Sequence, residues 1–214
     1  MNRLRIALTK GRLLEQTTEL FEEMGLDCTP LRSPGRRLIH SLENYPLDIV
    51  LAKAPDVITY VEHGACHMGI VGKDSIMELG GSFFEVLDLN MGKCRFALAV
   101  RQGENFYGTY KSRRIASKYP NITRKFFEKK GIDVSVIRIE GSVELAPILG
   151  LADAIVDLVE TGDTLKANGL TPIEDVASIS ARLIVNTAAM KLYRPEILGF
   201  VERCETAIQD RNRE

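Results

Sequence analysis

Residues Asp153–Leu165 read DAIVDLVETGDTL, an apolar run that ends in a glycine-containing turn. The run Asp153–Val159 (DAIVDLV) is typical of a strand buried on both faces, because aliphatic residues follow one another with little polar alternation. The next segment, TGDT (161–164), is typical of a turn that opens a helix, since Thr and Asp favour helix starts. The stretch therefore predicts a strand, a tight turn and a helix, which is a building unit of α/β folds.

The same alternation recurs along the chain. The predicted strands are Arg5–Leu8, Asp48–Ala52, Met68–Val71, Phe84–Leu89, Arg95–Val100, Arg114–Ser117, Val134–Ile139, Asp153–Val159 and Arg182–Asn186. The predicted helices are Leu13–Met24, Val57–His63, Ser75–Leu79, a helix that starts at Pro120, Val143–Leu149 and a helix after Pro195. Strands that alternate with helices indicate mostly parallel sheets flanked by helices.

Two successive α/β halves, with a late strand and helix that could return to the first half, favour a hinged two-lobe fold. We expect residues 1–92 and 181–214 to form lobe I and residues 93–180 to form lobe II. Ligands of open α/β sheets bind at the carboxyl ends of the strands. A cleft between two such sheets is therefore the expected site.

Composition and charge narrow the class of function. The 214 residues are 45% hydrophobic and 27% charged, which argues for a substantial core and against disorder. A formal net charge of −1 provides no overall field for nucleic acid or an anionic membrane. No apolar window approaches the ~20 residues of a membrane span, and the first apolar run is too short for a secretory signal. The widely spaced cysteines suit free thiols, so we expect a cytoplasmic protein. From the charge and the lack of a long apolar window, we expect that it binds neither nucleic acid nor membrane.

The TGDT turn is a candidate anion site. Backbone N–H groups at a helix start, the helix dipole and two threonine hydroxyls suit a phosphate, and Gly162 permits the turn. Asp157 and Glu160 would repel a phosphate, but they would accept hydrogen bonds from the vicinal hydroxyls of a ribose. A sugar phosphate carries both kinds of group. The alternative is a plain helix cap in which Thr161 or Asp163 accepts the helix-end N–H bonds.

A wider pattern surrounds this turn. Residues 144–165, ELAPILGLADAIVDLVETGDTL, resemble the signature of the ATP phosphoribosyltransferases, the family that catalyses the first step of histidine biosynthesis. The segments KGR (10–12), VEHGACHMGIVGKD (61–74), VLDLN (86–90) and KANGL (166–170) are similar to further segments of that family. The similarity runs from about residue 5 to residue 190. The resemblance implies a two-lobe α/β fold like that of type II periplasmic binding proteins.

The resemblance also implies an activity and partners. The family is a group of glycosyltransferases that join N1 of the adenine of ATP to C1 of phosphoribosyl pyrophosphate and release pyrophosphate. Mg²⁺ is expected to be carried on the substrate phosphates rather than held by protein ligands. The length resembles the short form of the family, which depends on a separate regulatory subunit similar to histidyl-tRNA synthetase, so a hetero-oligomer is expected.

The resemblance assigns candidate residues to each substrate. The residues expected to bind phosphoribosyl pyrophosphate are Asp157, Glu160, Thr161, Gly162, Asp163, Thr164 and Leu165. Lys10 and Arg12 are expected to be catalytic and to face the pyrophosphate or the ATP phosphates. Gly11, Arg36 and Lys53 are the ATP-binding candidates, although Lys53 stands where many members have an arginine and lacks its bidentate fork. The alternative for each cation is a solvated surface position.

His63, Cys66 and His67 form a candidate metal site. The two histidines have the i, i+4 spacing that metal sites use, and His67 stands where members of the family often have Asp. However, Gly64 interrupts the helix, and no fourth ligand or catalytic glutamate lies nearby in the sequence. No protein metal site is therefore expected.

Two rival functions share parts of this pattern. A two-lobe protein that binds a small ligand without catalysis would have the same fold. A phosphoribosyltransferase of the purine-salvage type would place two acidic residues directly before its phosphate loop. Here Leu158 and Val159 separate Asp157 from Glu160, so the local pattern differs from that type.

Overall fold

The computed structural model describes residues 3–33, 35–108, 112–211 and 213. The chain divides into two compact units. Unit 1 comprises Met1–Gly92 and Ser180–Glu214, and unit 2 comprises Lys93–Ile179. The predicted lobes, 1–92 with 181–214 and 93–180, differ from these units only in the assignment of residue 180. Within the described ranges, no helix is both long and apolar enough to cross a membrane.

Strands and helices alternate through both units. The strands are β1 (Leu4–Thr9), β2 (Ile39–Ser41), β3 (Leu47–Ala52), β4 (Met68–Gly72), β5 (Phe83–Asp88), β6 (Cys94–Arg101), β7 (Arg113–Ser117), β8 (Val134–Arg138), β9 (Ala154–Val159), β10 (Leu170–Ile179) and β11 (Ala181–Asn186). The helices are α1 (Arg12–Glu23), α2 (Thr29–Arg32), α3 (Ala54–Glu62), α4 (Lys73–Leu79), α5 (Pro120–Lys129), α6 (Leu145–Ile148), α7 (Asp163–Ala167), α8 (Thr187–Leu192) and α9 (Arg194–Arg211).

Unit 1 is built on a six-stranded sheet, called sheet 1, with the order β2-β3-β1-β4-β11-β5. β1 pairs in parallel with β3 and with β4, so these three strands form a parallel core. β11 runs antiparallel to β4 and β5, and β2 runs antiparallel to β3. Ile6, Ala7 and Leu8 of β1 are fully buried, which fixes the strand in the centre of the sheet.

Unit 2 is built on a five-stranded sheet, called sheet 2, with the order β10-β6-β9-β7-β8. β7 pairs in parallel with β8 and β9, while β6 runs antiparallel to β9 and β10. The predicted two-lobe α/β fold is confirmed, but both sheets are mixed rather than mostly parallel. The reason is that β2, β5, β6, β10 and β11 meet neighbouring strands in the opposite direction.

Several predicted elements differ from the observed ones. The helix predicted over Val143–Leu149 is shorter in the structure and corresponds to α6. The segment before α6 forms a turn with a hydrogen bond from Ala146 N to Val143 O (3.0 Å), and Gly150, with φ of 70°, ends the helical segment. Strands β2 and β10 and helices α2 and α8 lie where no element was predicted. The segment TGDT does open a helix, α7, as predicted.

Candidate active site

The turn between β9 and α7 places the predicted sugar-phosphate residues at the carboxyl end of β9 in sheet 2. β9 lies between β6 and β7, and its chain leaves the sheet at Val159. Gly162 is the N-cap of α7, with φ of 87° and ψ of 3°. A side chain at this position would be strained by the left-handed backbone rather than by crowding, since the nearest atom to a Cβ would be a Val159 methyl at 3.7 Å.

The two threonines of this turn have different surroundings. The Thr161 hydroxyl donates to Asp163 Oδ2 (2.8 Å) and accepts the Asp163 backbone N–H (3.3 Å). The Thr164 hydroxyl has no hydrogen-bond partner among the residues that the structure describes. The cap interpretation therefore accounts for Thr161 but leaves Thr164 with a free hydroxyl at an exposed position.

A concave pocket of about 250 Å³ lies against this turn. It is lined by Glu144, Asp157, Leu158, Val159, Glu160, Thr161, Gly162, Thr164 and Leu165. Of the residues predicted to bind phosphoribosyl pyrophosphate, the structure thus brings all but Asp163 to one cavity. Asp163 instead holds the turn through Thr161.

Asp157 is the half-buried carboxyl group of this pocket. Burial raises its pKa above the usual range, and the nearby charge of Glu144 raises it further. A hydrogen bond from the Leu158 backbone N–H to Asp157 Oδ1 (2.8 Å) and the positive charge of Lys118 act in the opposite direction. A carboxylate in this setting gains from additional hydrogen-bond donors, which the vicinal hydroxyls of a sugar would provide.

Two residues of this region were given no role from the sequence. Glu144 lines the pocket from the N-cap position of α6, and Lys118 follows the last residue of β7. Glu144 stands at the head of the signature, which is the signal that could have identified it. Lys118 could be found only from the pairing of β7 with β9, which the sequence did not specify.

The predicted cations of unit 1 lie at the carboxyl ends of β1 and β3 in sheet 1. Gly11 links β1 to α1 with φ of 91° and ψ of −153°, a region open essentially only to glycine. Lys10 donates its backbone N–H to Ala52 O (3.0 Å), which places it beside Lys53 at the end of β3. Lys10, Arg12 and Lys53 are exposed.

Arg36 belongs to the segment that leads into β2. Because β2 runs antiparallel to β3, this segment lies at the carboxyl end of β3, where Leu51 N donates to Leu38 O (2.8 Å). Arg36 is exposed there. The structure therefore brings the predicted ATP-binding candidates to the carboxyl ends of β1 and β3.

His67 has a structural partner rather than a cluster of metal ligands. Its Nδ1 accepts the Arg5 backbone N–H (2.8 Å), and its ring packs edge-on against Tyr193 with centroids 4.9 Å apart. Burial, aided by the charge of Arg5, lowers the pKa of His67, as expected for an imidazole that accepts a hydrogen bond. Within the described part of the chain, no group of three or more His, Cys, Asp or Glu is placed to hold a metal ion.

Comparison with known proteins identifies relatives over nearly the whole chain. The family model described as "HisG: ATP phosphoribosyltransferase" matches residues 53–206. An ATP phosphoribosyltransferase from Clostridium kluyveri is 53% identical over 209 residues, covering 97% of this chain and 95% of the relative. The enzyme of that name from Clostridium acetobutylicum is 55% identical over 207 residues, covering 96% of each chain.

Solved structures give the same picture. A chain of the ATP phosphoribosyl transferase (HisG:HisZ) complex from Thermotoga maritima aligns with a TM-score of 0.80 and 30% identity, over 97% of this chain and 99% of that one. The periplasmic aliphatic sulphonate binding protein SsuA from Escherichia coli aligns with a TM-score of 0.61 at 13% identity, over 97% of this chain and 73% of its own. This second likeness concerns the fold alone and agrees with the predicted type II binding-protein-like architecture.

Proposed function

The chain belongs to the ATP phosphoribosyltransferase family, and we propose that it transfers the 5-phosphoribosyl group of phosphoribosyl pyrophosphate to N1 of the adenine of ATP. The observation that carries this proposal is the pocket at the β9–α7 turn. There an unoccupied threonine hydroxyl and a glycine turn lie beside carboxylates, the combination that a sugar phosphate requires. The reaction would be the first step of histidine biosynthesis.

The reaction forms one bond and breaks one. Adenine N1 supplies the electron pair for the new bond to C1 of the ribose, and the bond from C1 to the pyrophosphate oxygen breaks with its electron pair leaving on pyrophosphate. Positive charge builds on the sugar ring and negative charge on the leaving group. A protein accelerates such a step by aligning the reactants and by fixing charges where charge develops.

The residues of unit 2 support binding of the sugar phosphate. Asp157 lines the pocket, and its Oδ1 accepts the Leu158 backbone N–H. Its Oδ2 would accept hydrogen bonds from ribose hydroxyls. Glu160 lines the same pocket. The Thr164 hydroxyl and the backbone around Gly162 would donate to the phosphate. Asp163 would act through the turn, which it holds together with Thr161.

The cations of unit 1 support binding of the phosphates. Lys10 and Arg12 would stabilise the negative charge that develops on the pyrophosphate. Gly11, Arg36 and Lys53 would contact the phosphates of ATP. Gly11 suits this role because its glycine-only backbone exposes the main chain without a side chain in front of it, and a Cβ there would meet no atom within 4 Å.

Mg²⁺ would arrive with the substrates. Glu144, Asp157 or Glu160 of the pocket could add one carboxylate ligand to such an ion. Among the described residues, no three acidic, histidine or cysteine side chains are close enough together to bind a metal ion by themselves. Mg²⁺ commonly keeps several waters and binds through substrate phosphates with one or two carboxylates. When bound, it would neutralise part of the charge of the pyrophosphate.

A separate regulatory subunit would complete the enzyme. The support is the structure of the ATP phosphoribosyl transferase (HisG:HisZ) complex from Thermotoga maritima, in which the matching chain is covered over 99% of its length. We accordingly propose a hetero-oligomer. A cytoplasmic location is supported by Cys28, Cys66, Cys94 and Cys204, none of which is in a disulfide.

The test is an assay of pyrophosphate release. The protein is incubated with ATP, phosphoribosyl pyrophosphate and Mg²⁺, alone and with its regulatory subunit, and release is expected in at least one condition. Release with guanine or hypoxanthine in place of ATP would indicate the purine-salvage type. Saturable binding of a ligand with no pyrophosphate released in any mixture would indicate a binding protein and overturn the proposal.

A further inference from the structure

Lys118 and Asp157 lie at the same level near the carboxyl ends of two neighbouring strands of sheet 2, Asp157 within β9 and Lys118 directly after β7. β7 pairs in parallel with β9, and Ala116 lies opposite Ile155. Two residues further along each chain come Lys118 and Asp157. The Ser117 hydroxyl donates to Val156 O (2.6 Å), so the two chains are still joined one residue before this level.

The turn that carries Lys118 is fixed on both sides. Ser117 is fully buried, and its Oγ also accepts the Tyr119 backbone N–H (2.9 Å). The Tyr119 ring packs edge-on against Phe96 of β6, with centroids 4.8 Å apart, and Phe96 pairs with Leu158 of β9. The residues on either side of Lys118 are thus held by contacts to β9 and β6.

The pocket has a charge imbalance that Lys118 would correct. Its lining includes Glu144, Asp157 and Glu160 and contains no lysine or arginine. A site with only negative side chains would repel a phosphorylated sugar. Lys118 is exposed, its positive charge acts on Asp157, and its ammonium group forms no hydrogen bond or ion pair with the described residues.

We propose that Lys118 is a substrate-binding residue that holds an anionic group of phosphoribosyl pyrophosphate next to the carboxylates of this pocket. The inference rests on the proposed function and adds a cation to the sugar-phosphate site of unit 2. The chemistry is that of a primary ammonium group paired with a phosphate or pyrophosphate oxygen.

A second consequence follows from the groups that face Asp157. Glu144 approaches it from α6, Lys118 from the end of β7, and its partner on β6 is the apolar Ala97. Since Glu144 favours the protonated form of Asp157 and Lys118 favours the ionised form, loss of Lys118 raises the pKa of Asp157. The acid limb of kcat/KM for phosphoribosyl pyrophosphate is then expected at higher pH.

The test compares Lys118→Met, Lys118→Arg and the control Lys125→Met in the full chain with its regulatory subunit. Lys125 is an exposed lysine of the neighbouring helix α5. In Lys118→Met, KM for phosphoribosyl pyrophosphate is expected to rise about tenfold or more, the scale of a lost hydrogen bond to a charged group. KM for ATP should stay within about twofold, Lys118→Arg should restore part of the loss, and the control should match the parent protein.

Two competitors show which anionic group Lys118 holds. Ribose 5-phosphate and pyrophosphate are each used as inhibitors of the parent and of Lys118→Met. Weaker inhibition by one of them in the variant assigns the contact to its phosphate, and weaker inhibition by both assigns it to both. Inhibition unchanged for both, together with an unchanged KM for phosphoribosyl pyrophosphate, overturns the inference.

Folding and function are separated by two further measurements. Thermal unfolding of Lys118→Met should match that of the control. If KM rises equally in Lys118→Met and Lys118→Arg, the effect is structural and counts against the inference. If the parent protein releases no pyrophosphate, the proposed function fails, while calorimetric binding of phosphoribosyl pyrophosphate to parent and Lys118→Met still decides the role of Lys118.

Discussion

Two turns of this molecule share a backbone device and differ in charge. In unit 1, β1 leads through Gly11 into α1, and in unit 2, β9 leads through Gly162 into α7. Both glycines are N-caps with positive φ, 91° and 87°, and neither helix has a side-chain cap. Lys10 and Arg12 flank the first glycine, whereas Thr161 and Asp163 flank the second.

The fold provides the two helix starts, and the local residues provide their charge. In each unit the turn follows a strand of the parallel core, so both helix starts present backbone N–H groups at the carboxyl edge of a sheet. The flanking side chains then select the ligand. Cations beside Gly11 suit a polyphosphate, and hydroxyls with carboxylates near Gly162 suit a phosphorylated sugar.

The largest effect is expected on the cationic turn. Lys10→Met should lower kcat about 100-fold, because it removes a positive charge where negative charge develops on the leaving group. Steady-state kinetics with both substrates give the measurement. Lys191→Met, at an exposed lysine of α8 in the same unit, is the control and should leave kcat unchanged. A kcat for Lys10→Met within about twofold of the parent would remove Lys10 from the reaction.

The carboxylate of the second turn is next. Asp157→Asn should lower kcat/KM for phosphoribosyl pyrophosphate about 30-fold, equivalent to about 2 kcal/mol for hydrogen bonds to a charged group. Asp153→Asn, at the start of the same segment, is the control. There the carboxylate accepts the Arg114 backbone N–H (2.7 Å) and forms an ion pair with the Arg114 side chain, so loss of its charge should affect unfolding rather than substrate kinetics. Equal kinetic losses in both variants would contradict a specific role for Asp157.

The same variant has a pH signature in stability. The pKa of Asp157 is raised in the folded protein, so this group favours folding below its unfolded-state pKa and loses that contribution as pH rises through the folded-state pKa. At neutral pH its ionised form disfavours the fold. Asp157→Asn should therefore be at least as stable as the parent in urea unfolding at pH 7, with the advantage disappearing in acid.

A smaller effect is expected for the free hydroxyl of the second turn. Thr164→Ala should weaken binding of phosphoribosyl pyrophosphate about tenfold, equivalent to about 1.4 kcal/mol, because one donor to a charged oxygen is lost. Calorimetric titration measures the change. Thr171→Ala, at an exposed threonine of β10, is the control. Unchanged affinity in Thr164→Ala would place the phosphate elsewhere.

The smallest effect concerns the backbone device itself. Gly11→Ala should lower the free energy of unfolding by about 1 kcal/mol, because alanine is strained at φ of 91° and ψ of −153°. Gly141→Ala is the control, since a Cβ at either position would meet no atom within 4 Å and only Gly11 has positive φ. Equal urea midpoints for the two variants would show that the turn tolerates a side chain.

Sequence reasoning succeeded where the signal was local. The buried runs that became β1 and β9 are continuous and apolar, and the TGDT turn joined a glycine to helix-start residues. The predicted strands were therefore found within one or two residues of their bounds. The family was identified from motifs of the same local kind, and the comparisons confirmed it.

It failed where the cause is not local. β10 has register shifts between Pro172 and Glu174 and between Asp175 and Ala177, so its residues do not alternate as a regular strand does. Lys118 lies near Asp157 only because β7 pairs with β9. By contrast, α8 does carry a local signal, because Asn186 is a favoured N-cap residue and its side chain accepts the Ala188 and Ala189 N–H groups.

The position of β11 has a consequence for biosynthesis. β11 lies between β4 and β5 in sheet 1, yet it follows the whole of unit 2 in the chain. During translation from the N-terminus, β4 and β5 therefore lack β11, the strand that pairs with both, until residues 93–179 have been made. Unit 2 is continuous, so it can complete its sheet first, and the N-terminal segment becomes a finished unit only when the last strand emerges from the ribosome.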